Sequence, residues 1–272
     1  MKLQFRHQPF QADAAKAVCD VFAGQPHRKP TYIMDSGIGQ IAINEKERFT
    51  GFSNAPVVVE DGKILEHIRA IQRSGGIKPS DALDGRFNLT VEMETGVGKT
   101  YTYIKTMYEL NERYGWSKFI IVVPSVAIRE GVYKSFQMTE EHFAGVYNKK
   151  IRFFIYNSTQ LTEIDRFASD SAINVMIINS QAFNARGKDA RRIYMKLDEF
   201  RSRRPIDILA KTNPILIIDE PQSVEGAATK ERLREFSPLV TLRYSATHKA
   251  DSMYREPLKI EKSKKKIIND II

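Results

Sequence analysis

Cysteine is almost absent from this chain. A single residue, Cys19, in 272 cannot close an internal disulfide. Its place beside Val18 and Val21 on a helix-like stretch predicts a small core residue. No apolar run is long enough to span a membrane, and the polar stretch from Gln4 to Gln8 does not resemble a secretory signal. No membrane association and a cytoplasmic location are therefore expected. The five histidines are scattered without metal-ligand spacing, so ordinary surface or core roles are expected of them.

The formal charge is +9, from 42 Lys and Arg against 33 Asp and Glu. Such an excess fits a nucleic-acid partner, but residues 255 to 266 alone hold six basic and two acidic residues. Much of the surplus is thus a basic tail, over 255–272. A second basic cluster comprises Arg191, Arg192, Lys196, Arg201, Arg203 and Arg204. It is expected on a helix whose Ile193, Leu197 and Phe200 face the core, with the arginines either touching a phosphate backbone or simply solvated.

The chemistry is concentrated elsewhere, beginning with Met93-Glu94-Thr95-Gly96-Val97-Gly98-Lys99-Thr100. An apolar run precedes it and a helix-like segment follows. Bound polyphosphate needs free backbone N–H groups at a helix N-terminus, and glycines let the backbone approach closely enough to offer them. Lys99 adds a mobile charge for the terminal phosphates, and Thr100 a hydroxyl for Mg²⁺. The usual pattern GxxxxGK[ST] has glycine where this chain has Met93.

A second signal lies 120 residues beyond Lys99, in Pro214-Ile215-Leu216-Ile217-Ile218-Asp219-Glu220-Pro221-Gln222. Four consecutive aliphatic residues read as a strand buried on both faces of a parallel sheet. Ligands gather at the C-terminal edge of such sheets. Asp219 is placed to hold Mg²⁺ there, and Glu220 to orient or deprotonate water. A third apolar strand, Leu239 to Leu242, leads to Ser245-Ala246-Thr247, 25 residues after Glu220. Its hydroxyls are candidates to sense the Asp-Glu pair.

These three motifs resemble the nucleotide-binding, Walker B and coupling motifs of superfamily-two helicases and translocases. The spelling Asp219-Glu220-Pro221-Gln222 most resembles the restriction (Res) subunit of type III restriction-modification enzymes. Val122 to Val132 is similar to that family's first DNA-contacting motif, and Val175 to Phe183 falls where its next strand and DNA-facing loop are expected. Pro9-Phe10-Gln11-Ala12-Asp13 looks like the glutamine element that reads adenine. The resemblance spans about residues 5 to 250.

It implies an α/β fold: a RecA-like P-loop domain over residues 1–254, with a parallel sheet covered by helices on both faces. Strands are expected over Phe87–Met93, Phe119–Val123, Ile151–Tyr156 and Ile173–Ile178, and helices near residues 9 to 23, from Lys99 and from Val126. Gln11 and Lys99 are 88 residues apart, and residues 31–86 are expected to form a β-rich insertion. Tyr32-Ile33-Met34, Gly39-Gln40-Ile41-Ala42-Ile43 and Val57-Val58-Val59 read as its strands, with a turn at Asp61-Gly62.

The resemblance implies ATP and Mg²⁺ as ligands. Thr95, Gly96, Val97, Gly98, Lys99 and Thr100 would cradle phosphate, Gln11 would read the base, Thr100 and Asp219 would hold the metal, and Glu220 would act on water. Gln222, Ser245 and Thr247 would relay nucleotide state. Ser125, Arg129, Asn179 and Ser180 are the candidates for DNA backbone contact. The implied partners are double-stranded DNA, a DNA methyltransferase (modification) subunit, and a C-terminal motor and nuclease portion of the same subunit. No second RecA-like domain and no Pro-Asp…Glu-x-Lys nuclease signature is found, so part of a longer or split subunit is expected. Two alternatives remain open: another DNA-dependent superfamily-two ATPase, such as a type I motor or repair helicase, and a nucleotide-binding remnant without turnover.

Overall fold

The computed structural model describes residues 5, 8–33, 51–85, 87–184, 192–200, 202–224, 226–246 and 258–259. Its centre is a seven-stranded sheet in which every pairing is parallel. In chain order the strands are β3 (Asn88–Glu92), β4 (Lys118–Val123), β5 (Ile151–Ile155), β6 (Ile173–Asn179), β7 (Ile215–Asp219), β8 (Val240–Ser245) and β9 (Leu258–Lys259), and their order across the sheet is β5-β6-β4-β7-β8-β3-β9. β4, β6 and β7 are buried along their whole length. Their unbroken aliphatic runs follow from this, because both faces are covered.

Successive side chains point to opposite faces of a strand. Phe119, Ile121 and Val123 therefore join a core with α1 (Pro9–Asp20), α3 (Lys99–Tyr114) and α4 (Val126–Tyr147). Ile120 and Val122 join a second core under α5 (Thr162–Ser169), α7 (Pro205–Lys211) and α8 (Ala227–Arg234). A short helix α6 (Gln181–Asn184) follows β6. Pro9 sits in the first turn of α1, where no backbone donor is needed. Cys19 is buried on that helix, and its burial pushes the thiol up to about 12. No helix among the described residues is long and apolar enough to cross a membrane.

The β-rich insertion is present as a small antiparallel sheet, as expected, but its details differ. Its described strands are β1 (Thr31–Ile33) and β2 (Gly51–Ser53), an antiparallel pair. Met34 and Gly39–Ile43 lie outside the described residues. Val57–Val59 is extended but not a strand. Gln25 takes the place of a neighbouring strand, donating from Nε2 to the Pro56 carbonyl at 3.0 Å and accepting from the Val58 N–H at 2.8 Å. Asp61-Gly62 is not a turn but the start of α2 (Asp61–Ser74). An acidic residue suits a helix N-terminus, and Ile64, Ile68 and Gln72 bury one face.

The basic helix is also replaced. Short 3₁₀ turns at Arg192–Tyr194 and Asp198–Phe200 precede α7, with a bridge between Leu197 and Arg203. Pro205 forces Arg204 into an extended conformation and opens a new helix. Ile193, Leu197 and Phe200 are buried as expected. The arginines, however, serve the protein itself. Arg203 forms two hydrogen bonds to Asp165 and lies over the Phe200 ring, Arg204 grips Asp207, and Arg192 donates to the Ser158 carbonyl. Arg191 and Arg201 lie outside the described residues. Within the segment read as a basic tail, Leu258–Lys259 pairs with β3 as the edge strand.

Candidate functional site

Sheet order brings the three motifs together. β7, β8 and β3 are neighbours, with Asp219 opposite Tyr244 and Ser245 opposite Glu92. Backbone bonds continue the ladder past the strand ends, from Met93 N to Ser245 O at 2.9 Å and from Glu220 N to Tyr244 O at 3.0 Å. The 93–100 loop, the Asp-Glu pair and Ser245 thus share the C-terminal edge of the sheet.

Gly96 and Gly98 have φ of 82° and 87°, left-handed values that glycine adopts without steric cost. Gly98 caps the N-terminus of α3. A Cβ there would lie 2.6 Å from Gln11 Nε2 and displace that amide, while the backbone conformation itself favours glycine. Gln11 reaches this loop from α1 and donates to the Val97 carbonyl at 2.8 Å. The predicted glutamine and the predicted phosphate loop therefore meet across 86 residues.

Lys99 Nζ lies 2.5 Å from Glu220 Oε1. Glu220 has a φ of 52°, a left-handed backbone that costs a non-glycine residue roughly 1–3 kcal/mol. Gln222 donates to the other Glu220 oxygen, and Ser245 Oγ donates to Gln222 Oε1 at 3.1 Å. Lys99, Glu220, Gln222 and Ser245 form one connected chain. Burial alone would raise the Glu220 carboxyl, but the bonds from Lys99 and Gln222 outweigh it and hold the group below the usual carboxylate range. Thr247 lies outside the described residues.

Asp219 is 6% exposed. Burial pushes its carboxyl up to about 6, opposed by the charge of Lys99 and reinforced by that of Glu220. Its Oδ1 is buried with no hydrogen-bond partner. A desolvated carboxylate oxygen without a donor is the chemistry that a hard cation satisfies, so Asp219, with Thr100 nearby on α3, fits Mg²⁺. Tyr103 was not anticipated from the sequence. It is fully buried, its hydroxyl lies near Asp219 and Thr100 without closing a hydrogen bond of normal geometry, and burial followed by the Asp219 charge drives its pKa well above that of an ordinary phenol. The available signal was its position four residues after Lys99, on the same helix face.

Residues 8–250 match the family described as "Type III restriction enzyme, res subunit". The chain belongs to the Res-subunit family of type III restriction enzymes. It is similar to the EcoP15I Res subunit of Escherichia coli, with 30% identity over 217 residues, covering 72% of this chain and 22% of that protein. To the EcoPI Res subunit of Escherichia phage P1 it is 27% identical over 263 residues, covering 89% of this chain and 26% of the other. This chain therefore spans about a quarter of the length of these relatives. Among solved structures it is similar to a Sulfolobus solfataricus SWI2/SNF2 ATPase core in complex with dsDNA, at a TM-score of 0.42 and 11% identity, over 72% of this chain and 33% of that one. That likeness carries no weight on function.

In this Res-family chain the four candidate DNA residues also converge, at the adjoining ends of β4 and β6, where Val123 is opposite Asn179. Ser125 caps α4 by accepting from the Ile128 N–H at 3.3 Å. Arg129 donates to Asn179 Oδ1 at 3.3 Å and pairs with Glu130 at 2.8 Å. Asn179 and Ser180 are only 5% and 9% exposed. Ser180 bonds the β4–α4 turn through its N–H to Val123 O and its hydroxyl to Pro124 O. Asn179 and Ser180 thus position the edge, whereas Ser125 and Arg129 present surface. β7 and β8 lie between this edge and β3, the strand that leads into the phosphate loop.

Proposed function

We propose that this domain, residues 1–254 with the 31–86 insertion, is the ATP- and Mg²⁺-dependent motor portion of a type III Res subunit. It would act in the cytoplasm on double-stranded DNA, together with a methyltransferase subunit and a C-terminal motor and nuclease portion. The observation that carries the reading is the connected chain from Lys99 through Glu220 and Gln222 to Ser245, beside the unsatisfied Asp219 Oδ1.

Backbone N–H groups of residues 95–100 would hold the β- and γ-phosphates, with Lys99 turning from Glu220 to the phosphate oxygens. Asp219 and Thr100 would hold Mg²⁺, which when bound neutralises phosphate charge. Glu220 would accept a proton from the attacking water as the bond between the γ-phosphorus and the bridging oxygen breaks. Gln222 bonds to that carboxylate and Ser245 bonds to Gln222, so a change at Glu220 would be passed to β8.

Calorimetric titration with MgATP tests this. Binding is expected for the 272-residue chain, and Lys99→Ala should weaken it by about ten-fold or more, as loss of a charge-assisted bond does. Equal affinities would remove Lys99 from the site and overturn the reading.

A further inference from the structure

Thr100, Tyr103 and Thr106 recur at a spacing of three on α3, and so lie along one face of that helix. That face is fixed to β8 at two points. The rings of Tyr103 and Tyr244 meet edge-on with centroids 5.4 Å apart, and Thr106 Oγ1 and Tyr244 Oη share a hydrogen bond of 3.0 Å. Tyr103, Thr106 and Tyr244 are all buried. The Tyr103 ring is therefore held in place, and only its O–H is left to turn.

Two buried oxygens at this point lack a hydrogen bond, Tyr103 Oη and Asp219 Oδ1. The two groups are neighbours, each acting on the ionisation of the other, and Thr100 lies within reach of the same phenol. Filling the core does not account for the tyrosine oxygen. Phenylalanine would occupy the same space without burying a hydroxyl that has no partner. A carboxylate offers about four acceptor positions, so a phenol O–H can take one and leave the others for a cation.

We propose that Tyr103 is a positioning residue of the metal site, its hydroxyl donating to the Asp219 carboxylate and holding it so that Asp219 and Thr100 serve one Mg²⁺. The inference rests on the metal reading above. A donor behind a metal-holding carboxylate fixes its orientation, and losing such a partner typically costs about 10–100-fold in metal affinity.

Tyr103→Phe keeps the ring against Tyr244 and removes only the oxygen. Calorimetry with MgADP, and with ADP in the presence of a chelator, separates metal-dependent from metal-free binding. The variant should bind MgADP about ten-fold more weakly than the unaltered chain, and metal-free ADP within about two-fold, as independent sites do. Its urea midpoint without magnesium should not fall. In an Asp219→Asn background the same change should alter MgADP affinity by less than about two-fold, because the carboxylate through which it acts is gone. Unchanged MgADP affinity in Tyr103→Phe would overturn the proposal. So would an equal loss of MgADP and metal-free ADP, a lower urea midpoint, or an undiminished loss in the Asp219→Asn background, since each would give the hydroxyl a role other than positioning Asp219. If the unaltered chain binds ADP no better with magnesium than without, the metal reading itself fails, and this inference with it.

Discussion

Lys99 and Glu220 hold each other at 2.5 Å, with only 11% and 24% of their side chains exposed. The cation suited to phosphate and the carboxylate suited to water are each other's partner. On the proposed reading, nucleotide would compete for Lys99, and its arrival would release Glu220.

Glu220→Gln removes that competitor's charge. MgATP binding should tighten by about five-fold, the difference between a charge-assisted and a neutral hydrogen bond, while phosphate release falls to background. Calorimetry and a phosphate-release assay read the two effects separately. Weaker binding than in the unaltered protein would contradict the competition.

Asp219 makes the site sensitive to pH. Its pKa rises on folding from 3.8 to about 6, chiefly through burial. The folded state therefore keeps its proton while the unfolded chain ionises. The stabilising contribution is complete below about pH 4 and is lost as pH climbs through 6. Metal-dependent binding runs the other way, because a cation needs the carboxylate. Relative to Asp219→Asn, the magnesium-free protein should lose urea stability between pH 4 and 6, and MgADP affinity should weaken below pH 6. Asp219→Asn should flatten both profiles; an unaltered slope in that variant would assign the titration to another group.

Asn54 ties the insertion to the sheet. Its Nδ2 donates to the carbonyls of Lys118 at 3.0 Å and Asn213 at 2.9 Å, and its Oδ1 accepts from the N–H groups of Ser117 at 2.8 Å and Lys118 at 3.1 Å. Asn54→Ala leaves several buried backbone groups unpaired, and each typically costs about 1–3 kcal/mol. Equilibrium urea unfolding should show a loss of at least about 3 kcal/mol. A loss below about 1 kcal/mol would show that the insertion is not stapled to the sheet through Asn54.

DNA binding at the β4–β6 edge should be weak, salt-dependent and indifferent to base order, because contacts to phosphate oxygens set register without reading sequence. Arg129→Ala should lower the slope of log affinity against log salt by about one. Asn179→Ala should act in the same direction, since Asn179 holds the guanidinium. Fluorescence anisotropy across a salt series measures both. An unchanged slope in Arg129→Ala would remove that residue from the interface.

The sequence by itself determined what depends on neighbours along the chain. An aliphatic run, two glycines and Gly-Lys-Thr dictate strand, left-handed loop and helix at residues 88–114, and Ile215–Asp219 likewise announces a buried strand ending in carboxylates. Local pattern misled where a distant group supplied the backbone's partners. Val57–Val59 has the composition of a strand, but Gln25 takes its hydrogen bonds. The arginines at 203 and 204 look free in sequence, yet they meet Asp165 and Asp207. Only the tertiary structure decided the sheet order that sets β8 between β3 and β7, and so joins Lys99, Glu220, Gln222 and Ser245. It alone also brought the Tyr103 hydroxyl of α3 beside the Asp219 carboxylate of β7. Those meetings depend on how the layers pack, and no short stretch of residues encodes the partner it will face across a folded core.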